Sequence, residues 1–211
     1  PGGDITIQTA AGYTLGTVDA GGVFTLLVTG DLDVTDAVVA AVNTNITYSA
    51  MNNLTISANQ TTSGTGTITL TADSNGDGVG NVTLATGVTL TTGGGSVTIT
   101  AHDFIINGTG AINAGSGTVT LQPATAVSIG IGTGAGTFSV SDAEIDAIST
   151  TGTLVIGDAT KASAVLMDDV TAGAKAVSII TNSTINDDDD VGDAIETTGR
   201  LYLASNGEIG A

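Results

Sequence analysis

Apolar and hydroxylated residues alternate along most of this chain in short runs, and each run ends at Gly, Asn or Asp. The runs include DITIQ at 4–8, NLTISA at 53–58, TITLTA at 67–72, NVTLA at 81–85, SVTITA at 96–101 and TVTLQ at 118–122. FSVS at 138–141, TLVIG at 153–157, AVSII at 176–180 and RLYLA at 200–204 continue the series. A period of two residues is that of a strand with one face buried. Ile68 and Leu70, Val97 and Ile99, and Val119 and Leu121 fall on the apolar side, with Thr and Ser on the other. β-Branched residues suit a pleated surface, and Gly, Asn and Asp suit the turns between strands. The pattern therefore predicts many short strands with those six residues pointing inward.

Helical periodicity is confined to two stretches, VTDAVVAAVNT at 34–44 and VSDAEIDAIST at 140–150. They match position by position at an offset of about 106 residues, Asp36 with Asp142 and Ala37 with Ala143 among them. Thr35 or Ser141 would cap a helix, and Ser141 with Glu144 forms a capping box. Two short helices or tight apolar bends are predicted, over 35–43 and 141–148. Neighbouring segments align in the same order: 4–10 with 118–124, and 67–80 with 176–192. The chain thus reads as one continuous domain of two degenerate modules, about 1–110 and 111–211.

Repetition at two levels, small aliphatic side chains and polar corners predict an all-β solenoid, in which successive coils stack their strands. The alternative is a tandem array of β-sandwich modules, whose size the module length also fits. Sandwich cores favour bulky aromatic anchors, whereas this chain has 3 Phe, 3 Tyr and no Trp, which favours the solenoid.

Charge narrows the functional classes. With 21 acidic and 3 basic residues the chain carries a formal charge of -18, so it lacks the Lys/Arg patches that bind nucleic acid or anionic membranes. No apolar run is long enough to cross a bilayer as a helix, so membrane insertion is not expected. No cysteine is present, which removes disulfides and zinc–thiolate sites. PGGDITIQ has neither the basic nor the apolar region of a signal peptide, and it enters strand pattern at once, as a segment of a longer protein would.

GTVTLQPATAVSIGIG at 117–132 and TFSVSDAEIDAISTTGTLVIGDAT at 137–160 resemble the strand repeats of large bacterial exoproteins related to filamentous haemagglutinin. The bend Ser141-Asp142-Ala143-Glu144-Ile145-Asp146 with Ile148 carries the likeness. So does the following strand, Gly152-Thr153-Leu154 with Ile156-Gly157-Asp158-Ala159. LTADSNGDGVGNVTL at 70–84 is similar to a corner recurring in such proteins. The resemblance implies a right-handed parallel β-helix, secreted and acting as an adhesin or surface fibre. The family's amino-terminal secretion domain is not recognisable here.

One loop could hold a metal. In TADSNGDGVGNVTL at 71–84, Asp73, Asn75 and Asp77 offer oxygens, Gly78 permits a sharp turn, and Asn81 follows. The twelfth position of that frame is Leu84, where a helix–loop–helix calcium site places a bidentate Glu, so that class of site is excluded. The module alignment sets this corner against Asp187, Asp188, Asp189, Asp190 and Asp193. Both corners are read as plain solvated turns or as weak extracellular calcium sites, and no motif requires a cofactor.

Catalytic signals are sparse. His102 is the only histidine, and its neighbour Asp103 points to the opposite face of a strand. Asp168-Asp169 reads as a charged turn or a carboxylate pair. Lys161, Lys175 and Arg200 are the only cations. The Gly-rich stretch at 132–137 lacks the Lys and following helix of a phosphate cradle. Six N-x-S/T triplets start at Asn45, Asn53, Asn59, Asn81, Asn107 and Asn182, several of them at corners before strands. The expectation is a non-enzymatic, extracellular or cell-surface structural or adhesive protein. Its partners would be a second copy stacked end to end, the continuation of a longer chain, or a host-surface or glycan ligand. A carbohydrate-binding or polysaccharide-active solenoid and a β-sandwich adhesion module are the competing classes.

Overall fold

The structure, a computed structural model, describes residues 5–9, 13–15, 22–187 and 194–210. The described residues are almost all β, in parallel sheets with no closed barrel among them. Nine strands make the longest sheet, ordered as in the sequence: Ile5–Thr9, Phe24–Val28, Ile46–Ala50, Ile68–Thr71, Val97–Ala101, Val119–Pro123, Thr153–Gly157, Ala176–Ile180 and Leu201–Ala204. From Phe24–Val28 to Val119–Pro123 the chain crosses two five-stranded sheets between visits to this one, and after Thr153–Gly157 it crosses instead a four-stranded sheet and the pair Val170–Gly173 and Ile195–Thr197. After Phe24–Val28 come Leu32–Val34 and Val38–Val42, and the chain then returns as Ile46–Ala50. Parallel pairing of every neighbour rules out the antiparallel two-sheet sandwich. A parallel partner must come from a later circuit of the chain rather than from a hairpin.

Register explains the alternation. Ile46 faces Ile68, Ile68 faces Val97 and Val97 faces Val119, while Leu70, Ile99 and Leu121 form the adjacent column. All six residues predicted to point inward are fully buried. A strand slipped by one residue would turn its whole apolar set outward, so one buried face fixes the register. The two shorter sheets add columns such as Leu32–Leu54–Val82–Phe104, and the buried apolar residues, Ala124 apart, join one continuous core. The three phenylalanines, Phe24, Phe104 and Phe138, are all in it. Scarcity of aromatics therefore reflects a narrow interior, not a lack of core.

One polar pair lies inside. The Tyr48 hydroxyl donates to Gln60 Oε1 at 2.7 Å, and Gln60 Nε2 donates to the carbonyls of Ala58 at 2.8 Å and Asp36 at 3.2 Å. Burial drives the Tyr48 hydroxyl far above the ordinary phenol range. A buried amide is tolerated here because its polar atoms are bonded.

Circuit length shows where the chain departs from its repeat. Phe24 to Ile46, Ile46 to Ile68 and Val97 to Val119 are each 22 residues apart. Ile68 to Val97 spans 29, the excess lying in the loop 73–80. Val119 to Leu154 spans 35 and holds Val127–Gly132, Phe138–Val140 and the only helix among the described residues, Asp142–Asp146. Val127–Gly132 also pairs with Ala162–Asp168, and Thr184–Asp187 extends that four-stranded sheet.

The helix expected over 35–43 is corrected: residues 38–42 form a strand paired to Gln60–Ser63. Its aligned counterpart is helical because Ser141 and Glu144 complete the capping box. Ser141 N–H donates to Glu144 Oε2 at 2.9 Å, and Ile106 N–H donates to Glu144 Oε1 at 3.2 Å. Val38 stands where Glu144 would be and is buried as an apolar residue, so that segment has no reciprocal cap. Burial raises the Glu144 pKa above the usual carboxylate range, opposed by the Ser141 and Ile106 donors and helped by the charge of Asp103. The folded protein therefore holds this proton to higher pH than the unfolded chain. Its contribution is fully present below the ordinary carboxylate pKa and is lost as pH rises through the raised value. In urea titrations the wild type should lose stability over that window relative to Glu144→Gln. Parallel pH profiles for the two proteins would contradict it.

Candidate functional site

The loop 73–80 is closed by its own hydrogen bonds. Asp73 is buried with a φ of 50°, and its Oδ1 accepts from the N–H groups of Asp77 at 2.9 Å and Gly78 at 3.2 Å. Its other oxygen accepts again from Gly78 at 3.2 Å. Asn75 Nδ2 donates to Asp77 Oδ2 at 2.7 Å, and Asp77 Oδ1 accepts from Val79 N–H at 3.0 Å. These carboxylates already face N–H donors, and the Asn75 amide contributes its nitrogen to the loop. Asn81 begins the strand Asn81–Leu84, with its N–H on Asn53 Oδ1 at 3.1 Å. Among the described residues no three His, Asp or Glu side chains converge as a metal would need.

Asp73 and Asp187 do not share a corner. Asp73 follows a strand of the nine-stranded sheet, whereas Asp187 ends Thr184–Asp187 of the four-stranded sheet, beside Met167. Asp188, Asp189, Asp190 and Asp193 lie outside the described residues. The loop bonding favours a structural turn that needs no cation. Asp73→Ala should lower the melting temperature by the same amount in EDTA and in millimolar calcium. A calcium-dependent difference would instead assign the loop to a weak calcium site.

Other sequence candidates separate in space or serve the backbone. Asp103 Oδ1 accepts from Ser139 N–H at 2.8 Å, while His102 Nδ1 is sequestered without a partner on the side of Gly78. Asp168 Oδ2 accepts from the Thr133 hydroxyl at 2.5 Å, and Asp169 lines a shallow groove with Val170, Thr171 and Glu196. A larger open groove of about 560 Å³ is bounded by Asp146, Ser149, Thr150, Thr151 and Lys175. Asp146 and Lys175 both line it, a grouping that linear spacing does not reveal.

Several glycosylation triplets have a structural role. Asn45 Oδ1 accepts from Thr67 N–H at 2.9 Å, Asn53 Oδ1 from Asn81 N–H at 3.1 Å, and Asn59 Oδ1 from Thr89 N–H at 2.8 Å. Each side-chain carbonyl satisfies a corner donor of the next circuit, which is why Asn precedes x-Thr so often.

The outward face of the nine-stranded sheet is the most regular surface. Register places Thr47, Thr69, Thr98 and Thr120 in one column and Ser49, Thr71, Thr100 and Gln122 in the next. All eight are partly exposed. Sequence alternation shows that these residues point outward, but only the register shows that they line up.

No family model, curated protein or solved structure matches this chain.

Proposed function

We propose that this chain is a right-handed parallel β-solenoid with a mechanical role, extending and presenting a surface outside the cell as a segment or subunit of a fibre. The supporting observation is the unbroken stack of nine in-register parallel strands over one core. Eight spacings of about 4.8 Å make that sheet roughly 40 Å long. The extracellular and adhesive part of the reading draws on the exoprotein-like residues at 117–132 and 137–160. Leu201–Ala204 is the outer strand of the sheet, with Leu201 and Tyr202 exposed. A strand with a free edge accepts another, supplied by a second copy stacked end to end or by further chain. Sedimentation velocity and negative-stain imaging of the 211-residue chain test this: rods that lengthen with concentration are expected. A compact monomer at every concentration would sink the end-to-end arrangement.

The groove at Asp146 and Lys175 favours a second reading, a glycan-binding solenoid. Glycoside hydrolysis ordinarily needs two carboxylates flanking one bond, and this groove is lined by one. Binding to a glycan array that Lys175→Ala abolishes would support the second reading over the purely mechanical one.

A further inference from the structure

We propose that the outward face of the nine-stranded sheet binds crystalline water, that is, the surface of ice. The inference rests on the stacked-strand architecture above but adds a ligand to it. Its basis is the two-dimensional repeat of the hydroxyl groups. Four successive strands, Ile46–Ala50, Ile68–Thr71, Val97–Ala101 and Val119–Pro123, pair without a register shift. The columns Thr47–Thr69–Thr98–Thr120 and Ser49–Thr71–Thr100–Gln122 therefore run straight across them. A third column, on the residues just before these strands, continues the array with Thr67, Ser96 and Thr118. Neighbours repeat at about 4.8 Å across strands and about 6.7 Å along them. Both distances are close to the oxygen-row repeats on the prism face of hexagonal ice.

Three further properties fit that ligand. Threonine is β-branched, so its χ1 is restricted and its hydroxyl and methyl are held in fixed directions before any ligand arrives. The array is also uncharged. The chain carries -18, yet no Asp, Glu, Lys or Arg occurs within 43–50, 65–72, 94–101 or 116–123. An uncharged lattice of water matches a neutral face. A face for a cationic partner would have used the acidic residues that the chain has in abundance. Nor does the array carry the aromatic platforms that stack on sugar rings, which favours ice over a crystalline polysaccharide.

The test is ice-affinity partitioning of the full chain, with recrystallisation inhibition as a second readout. Wild type should concentrate in a slowly grown ice phase. Thr98→Lys, which places a bulky charge at the centre of the array, should fall to the level of an unrelated soluble protein. Thr55→Lys, on the outward side of a different sheet, should partition like wild type. Thr98→Val keeps shape and β propensity and should reduce partitioning, which guards against a folding defect in the lysine variant. Exclusion of the wild type from ice, or retention of Thr98→Lys with an unchanged circular dichroism spectrum, would overturn the proposal. Binding of the wild type to cellulose or chitin, with no partition into ice, would overturn it in favour of a polysaccharide surface. Exclusion from ice with the strand stack intact sinks only this inference. Absence of the stack sinks the architecture as well.

Discussion

Gly95→Ala is expected to destabilise the protein by at least about 3 kcal/mol, at the upper end of the cost of overpacking. A Cβ built on Gly95 would lie 1.9 Å from the carbonyl oxygen of Gly66 and 2.8 Å from that of Thr65. These are backbone atoms of the preceding circuit, so no side-chain rotation relieves the clash. The same close approach recurs along one corner: a Cβ on Gly66 meets Thr44 O at 2.2 Å, and one on Gly117 meets Gly95 O at 2.1 Å. Gly76→Ala is the control. Its φ of 71° is strained for alanine, but the nearest atom would be 3.8 Å away. Its cost should stay near 1–2 kcal/mol, the penalty for an L-residue in the left-handed region. Urea denaturation of both variants checks the ranking. Equal losses would mean that the corner relaxes and that circuit spacing is not fixed there.

Leu70→Ala should cost about 2–5 kcal/mol, the range for emptying a buried leucine site. Leu70 is fully buried between Tyr48 and Ile99 in its column, with sheet on both sides to resist collapse. Because each circuit touches chiefly its neighbours, the loss should be concentrated near the middle of the stack. Hydrogen exchange should then accelerate most in strands 46–50, 68–71 and 97–101, and much less in 176–180. Uniform acceleration across all strands would indicate one globally cooperative unit instead.

The sequence reveals much of this architecture because alternation is a direct consequence of burying one face. Thr153–Gly157 and Ala176–Ile180 coincide with the runs read from the chain, and Phe138–Val140 and Leu201–Ala204 fall within them. Strands such as Leu32–Val34 and Thr89–Thr91 are too short to display a period and emerge only through their partners. The fate of 38–42 was hidden for another reason. A match at most positions to a helical segment counts for little when the one capping glutamate is replaced by Val38, which the core claims. Composition alone left the loop at 73–81 open between two readings, because Asp, Asn and Gly serve a self-bonded turn as readily as a cation. Asp73 and Asp187 belong to segments that align in sequence, yet one follows a strand of the nine-stranded sheet and the other ends a strand of the four-stranded sheet. The hydroxyl columns escape linear reading altogether, since circuits of 22 and 29 residues place equivalent threonines at unequal spacings.

In the proposed stack each successive circuit adds one strand spacing along a common axis. Pulsed dipolar spectroscopy measures this directly, because the chain has no cysteine to compete with the label sites. Spin labels on Thr25→Cys paired in turn with Thr120→Cys, Val155→Cys, Ser178→Cys and Tyr202→Cys report one outward column. The stack predicts mean distances that rise in that order by about 4.8 Å per step, reaching roughly 34 Å for the Tyr202 pair. Distances that fail to increase monotonically along the column would contradict the account.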